Sequence, residues 1–193
     1  THARLTGTLL TAALQVGIAN AALDVSTTYA KEREQFGRPI GSFQAVKHLL
    51  AEMLVKAEVA RSAVYAAACA LDGASDDAPT RAVSVAKVMA GDAAIFGGRT
   101  GIQVHGGMGF TWEVHIQRYW KRAIVLDNTF GSSDHHAVRV AATLTNPLPS
   151  TSAPVAPVFL ATMVFFNLAG PKTLELNTPP PLAAAELFTI VTC

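Results

Sequence analysis

Two stretches of the chain hold residue types that could do chemistry. The first runs from Lys31 to Pro39, KEREQFGRP, where charges, one aromatic ring, a glycine and a proline close a long apolar segment. Arg33 and Arg38 could grip a phosphate, because a guanidinium offers two parallel donors to phosphoryl oxygens, and Phe36 offers a flat face to a ring. Lys31 and Arg33 could equally serve the helix that precedes them, since cations near a helix C-terminus offset its dipole.

The second stretch is Gly101 to Ser133, GIQVHGGMGFTWEVHIQRYWKRAIVLDNTFGSS. Gln103 leads into Gly106-Gly107-Met108-Gly109, which lacks the G-x-G-x-x-G spacing of a dinucleotide fingerprint and follows a helix rather than a strand. Its missing Cβ atoms suit a chain reversal in which backbone N–H groups approach a ligand or a neighbouring helix. Further on, Arg118, Lys121 and Arg122 make one side basic, while Trp112, Tyr119 and Trp120 fit a core or interface better than a stack of bases. The nearby acids are Asp127, facing the helix it ends, and Asp134, a first-turn charge at a helix start. His135 and His136 are adjacent and so diverge by about 100° on a helix, and no metal site is expected.

Helices must carry these groups. Leu5, Leu9, Ala12, Val16, Ala19 and Leu23 recur at helical spacing in a proline-free run from Ala3 to Glu34, and Leu10, Leu14, Ile18, Ala21 and Val25 form a second stripe. Apolar on two faces, this helix is expected to meet both a core and a subunit interface, or to be central in a monomeric bundle. A second helix spans Phe43 to Asp72, with Val46, Leu49, Leu50, Met53, Ala57, Ala60 and Val64 on one face, a Glu52–Lys56 pair at i,i+4, and His48 on the surface. Gly73 to Thr80 reads as a solvated loop with Thr80 as N-cap of a third helix, Arg81 to His105. Its many Ala and Gly residues, Gly97 and Gly98 included, allow close helix approach. A fourth helix is expected from Glu113 to about Asn128, and a short fifth, capped by Ser132 or Ser133, runs to Leu144. The fold class is therefore all-α, an up-down bundle of four long helices plus a short fifth over residues 1–145.

Residues 146–193 differ in kind, holding eight of the ten prolines and three charged residues, Lys172, Glu175 and Glu186. Val155 to Ala169 is apolar but interrupted by Pro157 and shorter than the roughly twenty residues of a membrane span. This tail is expected to be irregular, as a frame-altered, non-native segment would be. The chain begins at Thr1 with no signal-peptide pattern and reads as the C-terminal portion of something longer.

The composition is that of a globular protein, 50% apolar and 15% charged. Fifteen basic against 14 acidic residues leave no field to attract nucleic acid. Cys69 and Cys193 have neither metal-ligand spacing nor a disulfide framework, which suits a reducing cytoplasm.

From about Leu5 to Leu144 the chain resembles the C-terminal helical domain of the acyl-CoA dehydrogenases. The likeness rests on YAKEREQFGRPIGSFQAVKHLLAEM (Tyr29 to Met53), AKVMAGDAA (Ala86 to Ala94) and IQVHGGMGFTWE (Ile102 to Glu113), in that order and spacing. It implies a flavoenzyme that oxidises acyl-CoA thioesters to 2-enoyl-CoA, with FAD between subunits of a homo- or hetero-tetramer and an electron-accepting flavoprotein as partner. It implies that Arg33 and Phe36, from an R-x-x-F-G turn, and Gln103 and Gly107, from a Q-x-x-G-G segment, meet a neighbour's FAD, with Ser132 keeping a hydroxyl for a flavin contact. The family's catalytic carboxylate falls on Phe130 in one arrangement and on Gly7 in another, and neither can take a proton. Three expectations follow: a domain whose base comes from a second chain, a homotetramer using another acid such as Asp134, or a helical assembly unit that no longer meets flavin.

Overall fold

The computed structural model describes residues 2–73 and 78–145. The expected irregular, frame-altered tail from residue 146 lies outside the described residues. The described residues form an all-α bundle: α1 (His2–Glu32), a two-residue hairpin of β1 (Glu34–Gln35) and β2 (Arg38–Pro39), α2 (Gln44–Asp72), α3 (Ala78–His105), α4 (Ile116–Asp127) and α5 (Ser133–Thr145). Short 3-10 turns occupy Ile40–Ser42 and Gly106–Phe110.

Small side chains set how closely the helices pack. Ala12, Ala19, Ala57, Ala60, Ala67, Ala86, Ala90 and Ala93 are buried together with Leu9, Val16 and Val83 where α1, α2 and α3 meet. A Cβ added at Gly98 would lie 2.8 Å from Trp120 Cα, so α3 and α4 touch backbone to backbone there. Three buried hydroxyls of the long α1, those of Thr8, Thr11 and Ser26, each donate to the carbonyl four residues back, whereas that of Thr27 is buried without a partner among the described residues. By length and hydropathy α1 could cross a membrane, but in this bundle it packs on α2, α3 and α4.

Of its two stripes, the one from Leu9 to Leu23 is buried, whereas on the other Ile18 is buried and Leu10 and Leu14 face outward.

Several boundaries differ from expectation. α1 ends at Glu32, because Glu34 is already paired with Pro39 in the hairpin. Thr80 does not cap α3 but lies inside it; Pro79 is accommodated in the first turn, where its missing N–H has no helical partner to lose. α4 starts at Ile116 rather than Glu113, since the Gln117 amide donates to Thr111 O at 2.7 Å and ties residues 111–115 into a turn. α4 is thus 12 residues long, comparable to the 13 of α5, beside three helices of about thirty. Lys56 reaches across to Asp92 on α3 at 2.7 Å instead of pairing with Glu52.

Candidate functional site

At one end of the bundle the chain leaves α1 through the hairpin. Phe36 (φ 56°) and Gly37 (φ 74°) are both left-handed, as a two-residue hairpin turn of this hand requires. Glycine takes that conformation freely; phenylalanine does so at about 1–2 kcal/mol. Its ring is 93% exposed and meets Phe43 edge-on at 6.1 Å. The two arginines part company here. Arg38 lies over the Phe43 ring at 4.1 Å, whereas among the described residues the exposed Arg33 guanidinium has no ion pair or side-chain hydrogen bond.

α3 ends beside the same hairpin. His105 is buried, its Nδ1 2.7 Å from Gly101 O, and its ring stacks on Tyr29 at 4.3 Å. The Tyr29 hydroxyl in turn donates to Met108 Sδ at 3.9 Å. Tyr29 lies one turn before Arg33, and His105 two residues after Gln103, so this stack gathers Arg33, Phe36, Gln103 and Gly107 at one end. Gly106 (φ 62°) ends α3, Gln103 and Gly107 are exposed, and a Cβ at Gly107 would meet nothing within 4 Å. An unpaired guanidinium, a bare ring, an amide and an uncovered turn backbone can hold an anion joined to a flat ring.

The opposite end carries the Phe130 turn. From Gly7 to Arg33 α1 rises about 39 Å at 1.5 Å per residue, so the two ends are separate. Phe130 (φ 61°) and Gly131 (φ 113°) reverse the chain, and Ser132 caps α5 by accepting from the His135 amide at 3.2 Å. The 44%-exposed Phe130 stands over Gly7, so the two positions without a carboxylate are in contact. Asp127 turns inward, accepting from the Ser133 hydroxyl and lying 3.7 Å from Lys87 Nζ. Asp134 is exposed in the first turn of α5 and makes no ion pair among the described residues. His135 is exposed while His136 is 1% exposed, and the two rings meet edge-on at 5.5 Å.

A model of the family described as acyl-CoA dehydrogenase, C-terminal domain, matches residues 5–145. The chain belongs to this family. It is 43% identical over 118 residues to the acyl-CoA dehydrogenase IpdE2 of Mycolicibacterium smegmatis, covering 61% of this chain and 36% of that one. The fold superposes on butyryl-CoA dehydrogenase from Megasphaera elsdenii with a TM-score of 0.69 at 31% identity, over 74% of this chain and 37% of that one. A structure described as an electron transferring flavoprotein of Acidaminococcus fermentans gives a TM-score of 0.69 at 33% identity, over 73% and 37% of the two chains. The chain thus spans little more than a third of these relatives.

Lys87, His136 and Tyr29 link elements of this architecture, yet none stands out in the sequence as a functional residue. Lys87 has a signal: with Val83, Ala90 and Ala94 it falls on the buried stripe of α3, where a cation must find partners inside.

Proposed function

We propose that the chain is the C-terminal domain of an FAD-dependent acyl-CoA dehydrogenase, acting in 2,3-desaturation of acyl-CoA thioesters, whose catalytic base is supplied by a second chain. The observation that carries this reading is the contact of Phe130 with Gly7: both positions where the family's carboxylate is expected are present, adjacent, and filled by a hydrocarbon ring. Proton abstraction from the α-carbon needs an acceptor within hydrogen-bond reach, and neither residue can be one.

The domain's own contribution is binding. Arg33, Phe36, Gln103 and Gly107 fit the adenine and pyrophosphate end of FAD on a neighbouring subunit, because the guanidinium is uncommitted, the ring is bare and no side chain covers Gly107. Ser132 spends its oxygen on the α5 cap, which leaves its hydroxyl proton for a flavin contact. When bound, FAD supplies the hydride acceptor. Leu10 and Leu14 of α1, Ile124 and Val125 of α4, and Val138 of α5 are exposed and suit an interface in a tetramer. An electron-accepting flavoprotein is the expected redox partner, and a reducing cytoplasm the expected compartment.

The test is purification of the full-length protein with and without co-expressed paralogues, recording flavin absorbance and acyl-CoA oxidation. Activity only with a carboxylate-bearing partner is the expected result; full activity of the chain by itself would overturn the reading. A homotetramer using Asp134 would lose turnover on Asp134→Asn. A bundle serving assembly alone is favoured by the same lost carboxylates, and it predicts unchanged flavin binding on Arg33→Ala.

A further inference from the structure

The Phe130 turn is held by more buried polar chemistry than a surface turn needs. Lys87 is 0% exposed, and its ammonium donates to the carbonyls of Leu126 and Asp127 at the end of α4 at 3.0 Å each, the first of which also takes the Thr129 amide. The Asp127 carboxylate beside it takes the Ser133 hydroxyl, which locks the last residue of α4 to the first of α5. Gly91 is what admits this arrangement: a Cβ there would run into Ser133 Oγ and lie 2.6 Å from Asp127 Oδ1.

A second buried link reaches the turn directly. His136 sits with Nδ1 3.1 Å from Ser84 Oγ on α3 and Nε2 3.3 Å from Phe130 O. A carbonyl can only accept, so Nε2 carries the proton and donates to Phe130. Burial lowers the pKa of His136, which favours the neutral ring with its proton on that nitrogen. The link matters because Phe130 is left-handed, a conformation that a bulky residue keeps only when its surroundings impose it.

The structure assigns to Lys87 and His136 the role of positioning residues: together they fix the backbone of the Phe130–Gly131 turn so that the side chain at position 130 is directed over Gly7. Lys87 sets where α4 stops and α5 begins; His136 holds the carbonyl between them. This rests on the reading above only in supposing that the turn faces a reaction site. The positioning itself is a property of this chain.

It is tested by nuclear Overhauser contacts between the Phe130 ring and the Gly7 α-protons in the 193-residue chain, with the Tyr29–His105 contact at the far end as an internal control. The contact is expected in the parent chain and in His136→Gln, which keeps a donor, and is expected to be lost in His136→Leu while Tyr29–His105 persists. Should His136→Leu not fold, Ser84→Ala, which removes only the hydroxyl behind the ring, is expected to weaken the contact. Absence of the contact in the parent would overturn the assignment, as would an undiminished contact in folded His136→Leu, or in Ser84→Ala if the leucine variant does not fold. The same variants in the full-length assembled enzyme separate the two claims: loss of the contact with unchanged turnover upholds the positioning and removes the turn from the reaction site.

Discussion

The Phe130 ring occupies the space that a side chain at Gly7 would need: a Cβ at position 7 would lie 2.5 Å from Phe130 Cζ and 2.8 Å from Cε1. The two residues are therefore coupled although 123 positions apart. Alanine in a helix interior is favoured over glycine by about 1 kcal/mol, but here that gain meets a clash with the ring. In a Phe130→Ala background, Gly7→Ala is expected to stabilise by about 1 kcal/mol; with Phe130 present the gain should vanish or reverse. Denaturant unfolding of the four-member cycle measures the difference.

The side chain at 130 is directed at Gly7, so a carboxylate placed there would occupy one of the family's base positions within an otherwise unchanged turn. Phe130→Glu in the full-length assembled protein is expected to raise acyl-CoA-dependent flavin reduction by about a hundredfold over the parent without its partner. Anaerobic flavin absorbance on addition of acyl-CoA checks this. No bleaching in a variant that retains FAD would show that the turn does not face the reacting carbons.

Arg33 carries a charge with no partner among the described residues, so its loss should leave folding nearly unchanged and fall on the ligand. Arg33→Ala is expected to weaken FAD retention by about tenfold, the worth of one charge-assisted hydrogen bond, with an unaltered melting profile of the apo-protein. Arg38→Ala should instead act through the lost packing on Phe43. Flavin titration of the two variants distinguishes ligand contact from local structure.

Removing Lys87 takes a buried donor from the Asp127 carbonyl and leaves the Asp127 carboxylate without its countercharge, while Leu126 O keeps the Thr129 amide and the carboxylate keeps the Ser133 hydroxyl. Lys87→Met is expected to cost about 3 kcal/mol, the usual penalty for breaking a buried pair from one side. Replacing Asp127 by Asn together with Lys87→Met should recover part of that loss, because no unpaired charge remains. Urea unfolding midpoints give both values.

His136 makes stability depend on acid. Burial first, then the charges of Arg139, His135 and Lys87, lower its pKa from 6.5, while the hydrogen bond to Phe130 O opposes them. The folded value lies below the unfolded one, so this contribution is fully present above pH 6.5 and is lost as pH falls through the folded value. Unfolding free energy measured from pH 7.5 downward should therefore decline below about 6.5. His136→Gln should flatten that decline.

The periodicity of apolar residues determined that this chain is a bundle of helices, and the motifs around Arg33, Phe36, Gln103 and Gly107 determined its family, because both depend on residues close in sequence. That Leu9 and Ala12 belong to a buried face follows from a spacing of three and four alone. Folding decided the rest. Spacing can place Lys87 on a buried stripe, but it names no partner for Lys87 or His136, and only when neighbouring helices close over them do the two become the supports of a turn. In the same way Gly7 and Phe130 each read as a missing carboxylate, while their contact, which shows the two positions to be one place, exists only once α1 and the end of α4 lie side by side.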